Sequence, residues 1–235
     1  MIPDWQALFT RAEPLDLSPW VMLAIVAVAA LVSIPRASWK IFGLFTTLVH
    51  ELGHAVAAML TGRIIKGIRI RRNHAGEALS YGSGRAVVSG LMGYPAPAIV
   101  GAGQLWAVFS GYPSIALFAG GVVLLLTLIV IRNLFGVLVV LGSAAVSAAL
   151  WFFAPPQVQE YALLVIGIAL LVGSVRGLGA VIAVHTRNRR QLATSDAYIL
   201  YMHTGVPSPV WLLLFAIMIA VCWALAIWAY VGSLG

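Results

Sequence analysis

Two histidines and a glutamate stand within five positions of one apolar run, 48-LVHELGHAVAAMLTG-62. His50 and His54 are four apart, so on a helix they project from one face, one turn above the other. That spacing lets both bind a single zinc ion, and Glu51 beside them can deprotonate a zinc-bound water. The group attacked would be a peptide carbonyl polarised by the metal. Imidazoles and carboxylates are costly in hydrocarbon, and three of them in one membrane-grade helix point to a shared task. Gly53 lies between the histidines, and Ala57, Ala58 and Thr61 continue their face, leaving room for a substrate backbone or a close helix. The competing reading makes the histidines hydrogen-bonded glue between helices, with Glu51 as their partner.

Catalytic zinc takes three protein ligands and keeps the fourth position for water. The chain offers seven acids: Asp4, Glu13, Asp16, Glu51, Glu77, Glu160 and Asp196. The first three precede the first apolar run, Glu77 falls in a hairpin, and Glu160 follows the Pro155-Pro156 turn. Asp196 is the best remaining candidate for third ligand, although an acid in the first turn of a helix also stabilises its dipole without binding anything. His203 lies two turns further on. His74 in a turn and His185 in a basic loop read as solvated.

These residues need a scaffold, and the composition says which kind. Of 235 residues 62% are hydrophobic and 9% charged, with a mean hydropathy of +1.01. So little charge cannot keep a soluble domain's surface wet, which leaves an all-α polytopic membrane protein. Runs of about 20 apolar residues mark spanning helices. They fall at about 18–35, 40–62, 86–109, 113–131, 133–153, 158–176 and 208–232, so seven transmembrane helices are expected in a single membrane-embedded domain, 1–235. Asp4, Glu13 and Asp16 against Arg11 make no basic leader, and the first run reads as a retained anchor. Cys222 reads as a small apolar residue. The paired interrupted helices of a transporter are not visible.

Between the spans, 64-IIKGIRIRRNHAGEALSYGSG-84 alternates Ile68 and Ile70 with Arg69 and Arg71 around 73-NHAG-76, which predicts a small cytosolic β-hairpin. Its edge could receive an unwound substrate strand, with Gly82 and Gly84 as flexible joints. The Asp-bearing segment 187–206 predicts a short helix capped by Thr194 or Ser195 and ended at Gly205 before Pro207. Alternating seven spans puts 12 of the 14 basic residues on the N-terminal side and only Arg36 and Lys40 on the other. By the positive-inside rule this predicts a cytosolic N-terminus and an outer C-terminus. The net charge of +7 is thereby explained by membrane orientation, and no nucleic-acid partner is called for. The partners expected are the lipid bilayer and a transmembrane protein substrate.

The segment 49-VHELGHAVAAMLTGRI-64, set early in a polytopic chain and followed by a hairpin and a small-residue helix, resembles the site-2 protease family of intramembrane zinc metalloproteases. It is most similar to a compact bacterial, peptidase-like branch, whose Ser-Asp-Ala stretch after the last basic loop is matched by 195-SDA-197. The resemblance spans about Lys40 to Tyr201, and 89-SGLMGYPAP-97 is similar to the family's second core helix without its asparagine. It implies Zn2+ as cofactor, His50, His54 and Asp196 as ligands, Glu51 as general base, and a bacterial cell membrane as the location. The family's usual third-ligand motif, Leu-Asp-Gly, is absent. A non-catalytic relative that binds or regulates a partner is therefore the alternative, against which Glu51 argues, since a structural zinc site needs no base.

Overall fold

In the computed structural model, which describes residues 10–12, 15, 17–82 and 85–233, Ser18 opens the first helix. Asp4, Glu13, Asp16 and Gly84 lie outside the described residues. The Ser18 side chain accepts from the Val21 N–H at 3.3 Å and Pro19 supplies a pre-set φ, so α1 (Pro19–Ser33) starts with both usual signals. Pro35, which has no N–H and an extended ψ of 145°, bends the chain before α2 (Arg36–Leu60). The antiparallel strands β1 (Ile64–Ile70) and β2 (Gly76–Tyr81) follow, then α3 (Ala86–Leu91), α4 (Ala96–Phe109), α5 (Pro113–Val130) and α6 (Leu134–Phe153). The chain closes with α7 (Pro156–Thr186), a 3-10 turn at Arg189–Thr194, α8 (Asp196–Thr204) and α9 (Ser208–Gly232).

Five of the described helices, α2, α5, α6, α7 and α9, are long and apolar enough to cross a membrane, and α1 and α4 are shorter apolar helices. Only 11% of the most apolar window of α6 is buried, so its Leu and Val side chains face outward in a way only lipid tolerates. The expected span 86–109 is broken between Leu91 and Ala96. Pro95 and Pro97 lack the N–H groups a continuous helix would use, and Gly90 and Gly93 weaken the helix before them.

The strict alternation expected from hydropathy does not occur. Antiparallel α4 and α7 meet where Gly101 faces Gly167 and Tyr94 faces Gly177. The N-terminal segment joins the far end of α4, with the Ala12 N–H donating to Gly111 at 2.8 Å. At the other end of α1, Arg176 of α7 donates to the Ile34 carbonyl at 2.8 Å and to Ser33 at 3.3 Å, and lies 4.3 Å from the centroid of Trp39. α1 and α7 are therefore parallel, and Arg176 caps the carbonyls that α1 leaves unpaired. Because α4 begins where α1 ends, α2, the hairpin and α3 together return the chain to the end from which α2 set out. α9 runs with α4, Tyr230 packing on Phe109, and a cleft at that end is lined by both Arg11 and Ser233. The two described ends of the chain thus share one end of the bundle, not opposite ends.

The hairpin forms as its alternation predicts but folds back along α2. Ile68 and Ile70 are fully buried against Leu48 and Val140. At the tip His74, with φ +63°, accepts a hydrogen bond from Thr47 at its carbonyl (3.3 Å), and its ring meets Trp39 and the Lys40 carbonyl. The outer edge of β1 is already taken. Asn133 bonds both the N–H and the carbonyl of Ile70 (3.0 and 2.7 Å), and the Arg132 N–H donates to Ile68. Strand alternation then turns the backbone groups of Gly76 and Ala78 on β2 away from the ladder.

The α4–α7 seam depends on bare backbone, because a Cβ on Gly101 would stand 2.5 Å from the Gly167 carbonyl. Gly101→Val is expected to lower the thermal midpoint in detergent by about 5 °C, from roughly 2 kcal/mol of overpacking. Gly103→Val, with nothing within 4 Å of the added atom, serves as the control.

Candidate metal centre

α2 delivers the two histidines as their spacing requires: the rings of His50 and His54 are 4.8 Å apart and their Nε2 atoms 3.1 Å apart. The start of α8 brings Asp196 to the same point, with Oδ2 3.3 Å from His50 Nε2 and 3.2 Å from His54 Nε2. Ligand atoms about 2.0–2.1 Å from one tetrahedral centre lie about 3.3 Å from each other, so all three separations suit a shared ion. Oδ2 is buried and makes no well-directed hydrogen bond. A carboxylate oxygen without a well-directed hydrogen bond, facing two ring nitrogens at these distances, is an arrangement a shared cation would satisfy. Among the described residues these three form the one His/Cys/Asp/Glu group compact enough to hold a metal ion.

The surroundings hold the three side chains in place. His54 Nδ1 donates to the Ser89 carbonyl at 2.7 Å, a partner that leaves Nε2 with its lone pair turned to the cluster. Ser89 Oγ donates in return to the His54 carbonyl at 2.8 Å, so α3 is tied to α2 at both points. Gly93 passes directly against both imidazoles, and a Cβ there would overlap His54 Nε2. The edge-on ring of Tyr94 packs 4.7 Å from His50 and leans on Phe215 of α9. Burial alone would raise the Asp196 carboxyl, but the facing His54 and His50 outweigh it and hold it below the usual carboxylate range. An ionised oxygen is the form a cation needs.

Glu51 is 4% exposed, and Gly76, the first residue of β2, lies flat against its carboxyl. A Cβ at Gly76 would overlap the Glu51 side chain. The hairpin therefore forms one wall of the site.

Other candidates stand elsewhere. His203 is exposed in the last turn of α8, and His74 sits at the hairpin tip. Glu77 pairs loosely with Arg71 at 3.8 Å, and Glu160 is buried at the start of α7. His185 is not simply solvated: its Nε2 lies 2.8 Å from Ser195 Oγ. Ser89, Gly76 and Gly93 are the residues that sequence reading did not single out for the site. Their one signal was the density of small residues in 73-NHAG-76 and 89-SGLMG-93.

A half-buried His–His–Asp triad able to hold a metal ion, with a carboxylate at the next helix position and in a bundle faced for lipid, marks a membrane protein with a candidate metal site. The chain belongs to the Peptidase M50B-like family, a site-2 protease family, whose sequence model matches residues 22–226. That range holds all four residues of the cluster. No curated protein and no solved structure matches the chain.

Proposed function

We propose that this protein is an intramembrane zinc metalloprotease that hydrolyses peptide bonds of transmembrane protein substrates. His50, His54 and Asp196 are its metal ligands and Glu51 its general base. The observation that carries the reading is the convergence of the buried Asp196 Oδ2 on two imidazole nitrogens, at 3.2–3.3 Å. A zinc ion held by these three side chains would supply Lewis acidity toward the carbonyl and the attacking water. Glu51 takes a proton from the attacking water as the carbon–oxygen bond forms. It returns that proton to the amide nitrogen as the carbon–nitrogen bond breaks. Burial of Glu51 beneath Gly76 keeps bulk water from competing for it.

A helical substrate has its carbonyls tied up in hydrogen bonds, so it must unwind before attack. We assign the receiving edge to β2, since Asn133 already occupies Ile70 on β1. Ala78→Pro removes one outward N–H without touching the ladder, an edge position where proline is tolerated. It is expected to lower kcat/KM about tenfold with little change in thermal midpoint, as measured by cleavage of a labelled single-span peptide in detergent. Unchanged cleavage would reject the edge. An apolar cleft of about 1620 Å³ between α2, α4, α5 and α6 reaches Gly53 and gives such a segment a lateral approach.

We also propose the cell membrane as the site of residence, with the metal-centre end in the cytosol. Lys66, Arg132 and Arg176 lie at the end of the bundle where α1 and α7 finish and α4 begins, Arg36 follows the end of α1, and Arg187, Arg189 and Arg190 follow the end of α7; cytosolic loops collect such charge. The two described chain ends then lie outside, so the cytosolic N-terminus expected from strict alternation is not retained.

Elemental analysis tests the metal. Detergent-purified protein should carry one zinc per chain, Asp196→Ala less than about a tenth of that, and a chelator should stop cleavage until zinc is restored. Full zinc in the variant would remove Asp196 from the ligand set. None in the wild type after reconstitution would remove the protease reading.

A further inference from the structure

We propose that His185 is a positioning residue for the metal centre, acting through Ser195 to fix where Asp196 stands. The inference rests on the metalloprotease reading above and goes beyond its ligand set.

Ser195 occupies the N-cap of α8, immediately before Asp196, with the extended backbone usual there (φ −80°, ψ 129°). A serine at that position ordinarily turns its hydroxyl back onto the N–H groups of the first turn. Here it makes no such bond. Its hydroxyl reaches across to His185 Nε2 at 2.8 Å, and the residue is 4% exposed. Only the Ser195 carbonyl serves the helix, accepting from the N–H groups of Tyr198 and Ile199. A cap forgone for a bond to another element indicates that holding the start of α8 against α7 matters more than capping it.

The rest of α8 explains why a hold is needed at that point. Beyond Asp196 the helix is anchored by Ala197 and Leu200, both buried against Trp211 and Phe215. Before it runs the 3-10 turn Arg189–Thr194, none of whose residues is buried. Asp196 Oδ2 meets the two imidazole nitrogens at 3.2–3.3 Å but has no well-directed hydrogen bond to fix its position. The His185–Ser195 bond, spanning ten residues of chain from the last turn of α7, is thus the N-terminal fastening of the segment that presents the carboxylate. His185 has no carboxylate partner among the described residues, so the pair is not the start of a nucleophilic triad.

Metal affinity is the readout. Purified protein in detergent is stripped, loaded with Zn2+ or Co2+, and titrated against a competing chelator. His185→Ala and Ser195→Ala are each expected to weaken binding 10- to 100-fold, the usual effect of losing a partner behind a ligand. The double variant should be no weaker than either single one, because both remove the same bond. His185→Gln, which can place an amide nitrogen near the position of Nε2, should recover most of the affinity. The Co2+ absorption bands of His185→Ala should shift, while the thermal midpoint of its metal-free form stays at the wild-type value. Wild-type affinity in His185→Ala, or additive losses in the double variant, would overturn the proposal while leaving the metalloprotease reading intact. Failure of the wild type itself to take up either metal would overturn both.

Discussion

If His50, His54 and Asp196 hold zinc as proposed, replacing Gly93 with alanine is expected to abolish its binding. The added methyl would overlap His54 Nε2 and stand 2.7 Å from His50 Nε2, in the space the two ligands turn toward. Neither partner can back away cheaply. His54 is fixed through Nδ1 to the Ser89 carbonyl, and His50 is held edge-on by Tyr94. The Gly93 backbone is confined as well, since the Met92 carbonyl lies against Gly53 and the Ala96 N–H donates to the Gly93 carbonyl at 3.2 Å. One ring must therefore leave its position, and loss of one of three ligands should exceed the roughly 100-fold effect of losing an outer partner. Chelator competition on detergent-purified protein measures it, with Gly179→Ala, which meets nothing within 4 Å, as the control. Wild-type affinity in Gly93→Ala would mean that the helices part easily here, and the site would not be preorganised.

This sensitivity shows where sequence reading could reach and where it could not. His50, Glu51 and His54 were legible because a helix turns the spacing i, i+4 directly into proximity, whatever else the chain does. Asp196 was legible only as the acid left over once the others were placed, together with a three-residue resemblance. No local rule brings residue 196 to residue 50; that requires α3, α8 and α9 to pack around Leu200 and Phe215. Gly93 and Gly76 carry no chemistry of their own. Their role lies in what they lack, and it appears only when the neighbour across the gap is known.

Topology failed for a related reason. Hydropathy identifies apolar helices but cannot say that each apolar run carries the chain to the far side. The bend at Pro35, the break at 92–95 and the extension of α7 to Thr186 all sit inside or beside apolar sequence. Because α2, the hairpin and α3 bring the chain back to the end where α2 began, α1 runs opposite to the expected sense while α4 to α9 keep theirs. Arg176 closes the expected span 158–176, but that its guanidinium would cap the carbonyls at the end of α1 could not be read without α1 beside it. The hairpin was recognised from alternation, but the face that Ile68 and Ile70 bury was not predictable without α2 beside it.

Glu51→Gln is expected to lower cleavage by about 10³-fold or more while leaving one zinc per chain. The amide fills the same volume and still accepts hydrogen bonds, but it cannot take up a proton from water, and general-base contributions run to 10²–10⁴. The prediction gains force from the hairpin wall. Glu51 is buried with Gly76 flat against its carboxyl, so its orientation is set by β2 and not by solvent. Gly76→Ala should therefore reproduce much of the same loss, about 10²-fold in kcat, by pushing the carboxyl aside with the ligands untouched. Metal content separates the two glycines: Gly93→Ala fails because it has no zinc, Gly76→Ala although it has one. Cleavage of a labelled single-span peptide, read beside zinc per chain for each variant, decides the matter. Undiminished turnover in Glu51→Gln with zinc in place would move the base elsewhere. Undiminished turnover in Gly76→Ala alone would show that the hairpin yields as substrate arrives, making that wall a moving part of the site.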